Sequence, residues 1–436
     1  MRTLTNVCLG LGLGFVAMSA SPALAVGESV GGFPNWRERT LHEFMNRSRV
    51  DPASDLAACP AANCLEKSCY KPTAPLYYDL NLGRAARFHS DEMKQQSYFA
   101  HDSACKLVTN ISTIYPGTCT GAAACACTAG TATTWSQRVS LFGTNTSGEI
   151  IASPNDPKSA FYLWLHEPTT VSTCGYTSQN GHRYNILMAG PSVGAGVTSG
   201  GASVGDFGGA AAGTYKIPSG SHHPQGGASI DMWANWKDSA APSQAVVNVE
   251  GTCTAMTMKF GSAQSGAWSA TLTGLGTTCK RYRFEFKDST GATVNYPQTG
   301  SFYTGTSGTT GCASDGSDYS PSPPPTCGCT PSCGGKQCGD DGCGSVCGTC
   351  GANSTCQGSQ CVPNASGPDG GASAGDGGDP TMNPDPNSVT ATGCSCDLGQ
   401  SSGHNAAPLA AGLLLLGLAF LRRRARRNPV PRQLPV

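Results

Sequence analysis

Residues 181–197 read Gly-His-Arg-Tyr-Asn-Ile-Leu-Met-Ala-Gly-Pro-Ser-Val-Gly-Ala-Gly-Val. His182 and Arg183 stand just before an apolar Ile186-Leu187 pair, and the segment runs on into Gly194-Ala195-Gly196-Val197. Alone this is a weak signal; the order and spacing of the polar residues upstream give it weight. Trp164-Leu165-His166-Glu167 and Gly148-Glu149-Ile150 precede it, and before them Leu80 to Gln96 closes in Ser97-Tyr98-Phe99-Ala100-His101. Leu82, Ala85, Ala86, His89 and Met93 recur there at three- and four-residue spacing. That predicts a helix with His89 facing inward, a core histidine with one nitrogen satisfied. Trp36 to Arg49 predicts an earlier helix, with Leu41, Phe44, Met45 and Val50 as an apolar stripe over a face of acidic and basic residues.

Outside this region the composition changes. With 57 Gly, 29 Pro and 13% charged residues in 436, much of the chain is expected in turns and linkers, around roughly two or three domains. A formal net charge of +0 gives no field to recruit nucleic acid, so any partner must be read by a local site. Met1-Arg2, an apolar stretch from Val7 to Met18 and Ala23-Leu24-Ala25 follow the plan of a secretory signal peptide over residues 1–25. In an exported chain, cysteines are expected as disulfides. Of 23 Cys, Cys8 leaves with the signal peptide and Cys394 and Cys396 belong to the tail, leaving an even number that suits full pairing without assigning partners.

Between about 243 and 305, Ala245 to Val249, Met256 to Phe260, Trp268 to Leu272 and Tyr282 to Phe286 alternate with period two between Gly, Ser and Thr, which predicts a small antiparallel β-sandwich. Cys253 and Cys279 stand where they could bridge it. No catalytic grouping appears in this region, which reads as structural or adhesive. From 312 to 363 nine closely spaced cysteines, joined by Cys312, sit among almost no apolar residues; cross-links must hold such a module. Cys347-x-x-Cys350 has zinc-like spacing, but export favours disulfides. Residues 364–392 are a Gly, Asp, Pro and Ala spacer. Residues 406–421 are an uncharged apolar run, a little short for a span of ~17–25 residues, followed by five arginines that would keep that end cytoplasmic.

Two resemblances follow. The helix with Ala86, His89 and Met93 closing in Phe99-Ala100-His101, the Gly148-Glu149 pair, Trp164-x-x-Glu167 on a helix, and Gly181-His182-Arg183 with Asn185-Ile186-Leu187 resemble, in that order, a CAP domain of the cysteine-rich secretory, antigen 5 and pathogenesis-related proteins. Gly194 to Val197 looks like the strand that follows. This implies an α+β fold, an α-β-α sandwich over residues 36–224, followed by the β-sandwich and the disulfide-rich module. Residues 393–427, opening on Gly393-Cys394-Ser395-Cys396, resemble a MYXO-CTERM sorting signal. That implies a protein displayed at the cell surface or outer membrane, with Cys394 and Cys396 as the sorting residues; a plain single-pass anchor is the alternative.

In the CAP family two histidines and two glutamates meet in a surface cleft, and they carry over onto His101, Glu149, Glu167 and His182. His101 and His182 would offer nitrogen to a divalent metal such as zinc, while the carboxylates supply charge or hold the rings. The resemblance implies a non-enzymatic protein binding a small ligand, lipid or metal, or an extracellular partner. The alternatives are a metal-dependent extracellular hydrolase or peptidase using the same cluster, and a structural protein whose cleft is vestigial. No His-Glu-x-x-His motif or serine nucleophile signature is present. The chain departs from the family pattern at Ile150, where Asn is usual, and at Gly200 to Phe207, which leaves the end of the domain open. Close cysteines at 119–127 suggest a stapled loop.

Overall fold

A computed structural model describes residues 26–209, 215–275, 278–305, 312, 318–328, 333–339, 347–348 and 350–364. The expected signal peptide, the spacer beyond 364, the tail with Cys394, Cys396 and the 406–421 run, and Cys329 and Cys343 lie outside the described residues. Among those described, no helix is long and apolar enough to cross a membrane.

Strands Tyr77–Tyr78 (β1), Gly148–Ala152 (β2), Ser192–Val197 (β3) and Ser203–Gly208 (β4) form a sheet in the order β1-β3-β4-β2. The helices around it are Trp36–Val50 (α1), Leu80–Gln95 (α2), Trp135–Leu141 (α3), Pro157–Leu165 (α4) and Gly181–Met188 (α5). Alternation along β3 decides which helix covers which face. Val193, Ala195 and Val197 join Leu41, Phe44 and Met45 of α1 and Phe161 and Trp164 of α4 in one core. Gly194 and Gly196 face α2 instead: a Cβ on either would lie 2.0 Å from a backbone nitrogen of that helix, of Gly83 or Arg87. Only glycine admits so close an approach. Val204 and Ile151 pack with Ala86 and Met93 on this second face. The sheet therefore has helices on both sides, in a mixed α+β fold. The Gly200 to Phe207 stretch, read as an uncertain domain end, supplies the inner strand β4.

Downstream come Gly220–His223 (β5), Ser229–Lys237 (β6), Gln244–Val249 (β7), Thr252–Ala255 (β8), Thr257–Ser262 (β9), Ser265–Thr273 (β10), Arg281–Lys287 (β11), Thr293–Tyr296 (β12), Ser301–Tyr303 (β13) and Tyr319–Ser320 (β14). They make one sheet in the order β9-β10-β6-β5 and another in the order β8-β7-β11-β13-β14, with β12 paired to β11. Met232, Ala234 and Trp236 from the first and Val247, Tyr282, Phe284 and Phe286 from the second share one core. These sheets take in β5 and β6, upstream of the 243–305 range, and β14 beyond it.

Helix α1 is buried on its charged side as well as along its apolar stripe. Asn35 caps it through a reciprocal capping box with Glu38, and every residue of α1 except Arg37 is buried. Its charged face is covered by the two-sheet region rather than by water. Thr40 bonds Ser221 (2.8 Å), Asn46 donates to Ser219 (3.0 Å), and Trp36 donates to the His222 carbonyl (2.7 Å). Arg39 pairs with Asp318 at 3.3 Å, and Arg47 pairs with Asp55 while lying over Phe44 and Trp233. Buried charge is costly unless paired and hydrogen-bonded; Arg39 and Arg47 each have a carboxylate partner, although the Nε of each has no hydrogen-bond partner among the described residues.

Nine disulfides join described cysteines, which places the fold in an oxidising environment of extracellular type. Cys59–Cys64 and Cys69–Cys174 tie the loops before α2 and α5, and Cys105–Cys127 and Cys119–Cys125 staple the insertion. Cys253 and Cys279 do not bridge each other. They pair with Cys327 and Cys312, so Cys312 closes the two-sheet region rather than the cysteine-rich module. That module is held by Cys333–Cys347, Cys338–Cys356 and Cys350–Cys361 around the hairpin Ser354–Gln357 and Gln360–Pro363.

Candidate functional site

His101 lies just past the end of α2, and two buried contacts fix its backbone. His89 Nε2 bonds the Ala100 carbonyl at 2.9 Å, and Arg138 of α3 donates to the His101 carbonyl at 2.9 Å. His89 also bonds Glu92 through Nδ1 at 2.7 Å, so both its nitrogens are used, not one. Burial, and then the nearby Arg138 charge, lower the His89 pKa, while the Glu92 hydrogen bond works against them.

The His101 imidazole meets Glu149 of β2, Nδ1 to Oε1, at 2.8 Å, and the other Glu149 oxygen accepts from Arg138. Burial works to raise the Glu149 pKa, but the Arg138 charge and the His101 hydrogen bond overcome it and hold the carboxyl at about 2. Arg138 is fully buried and also contacts Ser103 (3.2 Å) and Glu92 (3.6 Å). Asp206 of β4 stands opposite Glu149 in the antiparallel register and is fully buried. Burial and the Glu149 charge raise its pKa well above the usual carboxylate range, and neither of its oxygens has a hydrogen-bond partner among the described residues.

The second pair is built differently. Glu167 lies two residues beyond α4, not on the helix, and accepts from His182 Nδ1 at 2.6 Å and from the Arg183 amide at 2.9 Å. His182 opens α5. The fully buried Arg183 guanidinium reaches Glu66, the Leu165 carbonyl and the Glu167 carbonyl, clamping the loop from Asn63 to the end of α4.

The four residues thus form two dyads, His101–Glu149 and His182–Glu167. Helix α5 brings them toward the same edge of the sheet. Asn185, one turn beyond His182, lies against Gly148, where a Cβ would come 2.3 Å from its Oδ1, and Gly148 precedes Glu149 on edge strand β2. Both imidazoles are part exposed, His101 46% and His182 34% by side chain, whereas Glu149 is 1% exposed. Neither Nε2 has a hydrogen-bond partner among the described residues. Phe99 and Tyr176, both strongly exposed, stand near His101 and against Gly181. Ile150 points away from the dyads into the core shared by α1 and α4.

No three of the four residues bring ligand atoms within 4.8 Å of one another; among the described residues such groups are formed by cysteines, Cys338, Cys350 and Cys356, and Cys253 and Cys327 with Glu285. Those cysteines are in disulfides. The four residues therefore form no closed metal cage. Sequence reasoning missed Arg138, Glu92 and Asp206. A lone acid in the buried strand Ser203–Gly208 was the available signal for Asp206; nothing in the sequence marked Arg138. Searches against protein-family models, curated proteins and solved structures each return no match for the chain.

Proposed function

We propose that this chain is an exported, CAP-like binding protein that takes a divalent cation or a small ligand at His101 and His182, with the cell-surface display its tail implies. One observation carries the reading. Each imidazole gives Nδ1 to a carboxylate, at 2.8 and 2.6 Å, and keeps Nε2 for an outside ligand. A carboxylate on Nδ1 fixes the tautomer and makes the opposite nitrogen a better donor to a metal. When bound, the metal would supply Lewis acidity and leave coordination positions for an outside molecule. Both glutamates are committed, Glu149 to His101 and Arg138, Glu167 to His182 and the Arg183 amide. They hold the rings in place rather than activate water, which favours binding over hydrolysis.

Zinc titration calorimetry, with metal analysis of the purified chain, tests this. Wild type is expected to bind zinc, and His101→Ala with His182→Ala to lose the affinity while keeping the melting temperature. Equal zinc affinity in wild type and the double variant would overturn the reading.

A further inference from the structure

A cavity of about 400 Å³ lies away from both dyads. It is bounded by the segment from Val26, by β1 and the start of α2, and by β12. Its size is that of a small-molecule pocket. Phe33, Tyr78, Tyr215 and Tyr296 contribute rings, Glu28 and Asp79 contribute carboxylates, and among the described residues no lysine, arginine or histidine side chain lines it. From this we infer a second binding site, for a small organic ammonium ion.

Charge and ring chemistry favour that ligand together. A cation over an aromatic face is attracted by the ring quadrupole, most strongly where water is excluded. Asp79 caps α2 through Oδ1 alone, which accepts from the Asn81 amide at 2.8 Å and the Leu82 amide at 2.9 Å, and Oδ2 is uncommitted among the described residues. The nearest cations are already neutralised. Arg87 lies 3.7 Å from the Phe33 ring centre but is held by both oxygens of Glu38, and Lys216 beside Tyr215 is paired with Asp238 and Asp288, each at 2.8 Å. Removal of residues 1–25 would set the Val26 ammonium at the cavity wall, where the two carboxylates still outnumber it, which disfavours anions and ranks a cation above a neutral ligand of equal shape.

The test is calorimetry of the full secreted chain with choline chloride and, in parallel, its neutral isostere 3,3-dimethyl-1-butanol. Choline is expected to bind at least about fivefold more tightly than the alcohol. Glu28→Gln with Asp79→Asn should weaken choline and shrink that preference to the part the rings supply, and Asn keeps the helix cap so that α2 still forms. Tyr215→Leu, which leaves both carboxylates in place, should weaken choline and leave the alcohol nearly unchanged. The inference is overturned by equal affinity for the two probes, by a double variant that binds choline as wild type does, or by no choline binding up to about 10 mM.

Discussion

Beneath His101 the Glu149 carboxylate is sealed from water and held by a buried arginine side chain; beneath His182 the Glu167 carboxylate is partly exposed and held by a main-chain amide. Each dyad has an arginine under it, but the two act on different parts. Arg138 touches the carboxylate itself and so sets its charge state. Arg183 bonds the Glu167 carbonyl and Glu66, and so sets where the loop lies. The same pair of side chains is thus tuned electrostatically at one end of the site and positioned mechanically at the other.

The largest effect that would break this comparison is expected at Arg138. Arg138→Met leaves Glu149 and Glu92 buried without their cation and should lower unfolding stability by about 3–5 kcal/mol in urea titrations. Arg183→Met should cost a similar amount, because Glu66 is fully buried. If the comparison holds, zinc affinity falls in a His182→Ala background only for Arg138→Met. Equal losses would mean that both arginines act as scaffolding.

Next is pH. Glu149 has a folded value of about 2, below the ordinary 4.5, so it contributes stability above pH 4.5 that is lost as pH falls toward 2. Glu43 on α1 runs the other way. Burial raises it to about 8, so the folded chain binds its proton more tightly, and stability declines as pH rises from 4.5 to about 8. Glu149→Gln should flatten the acid limb and Glu43→Gln the neutral one in denaturation series across pH. Unchanged limbs would remove the electrostatic half of the comparison.

The smallest effects are expected at the dyad carboxylates tested by binding. Glu149→Gln and Glu167→Gln should each weaken zinc by roughly 10–100-fold, as loss of a carboxylate behind an imidazole ligand does. Glu167→Gln should leave the melting temperature nearly unchanged, since amide oxygen still accepts from the Arg183 amide. A large loss of stability there would make Glu167 structural.

Much of the local structure was readable in the chain. Three- and four-residue spacing marked α1 and α2, and period-two runs marked β7 and β11. His101, Glu149, Glu167 and His182 were named because the motifs around them resemble, in order, those of a CAP domain. What spacing could not show was the surroundings of each. Spacing gave α1 a charged face but not what covers it, because Ser219, Ser221, Asn235 and Asp318 lie far along the chain. Cys253 and Cys279 were near enough in sequence to suggest a bridge, yet each found a partner from beyond β13.

By itself, the sequence determined the periodicities and the oxidised state of the cysteines, because these follow from neighbours within a few residues and from the export that the start of the chain implies. Tertiary structure alone decided that α1 is buried on its charged side, that Arg138 and Asp206 meet Glu149, and that the four site residues join two and two. Those outcomes depend on desolvation and on contacts between segments tens to hundreds of residues apart, which no local pattern encodes.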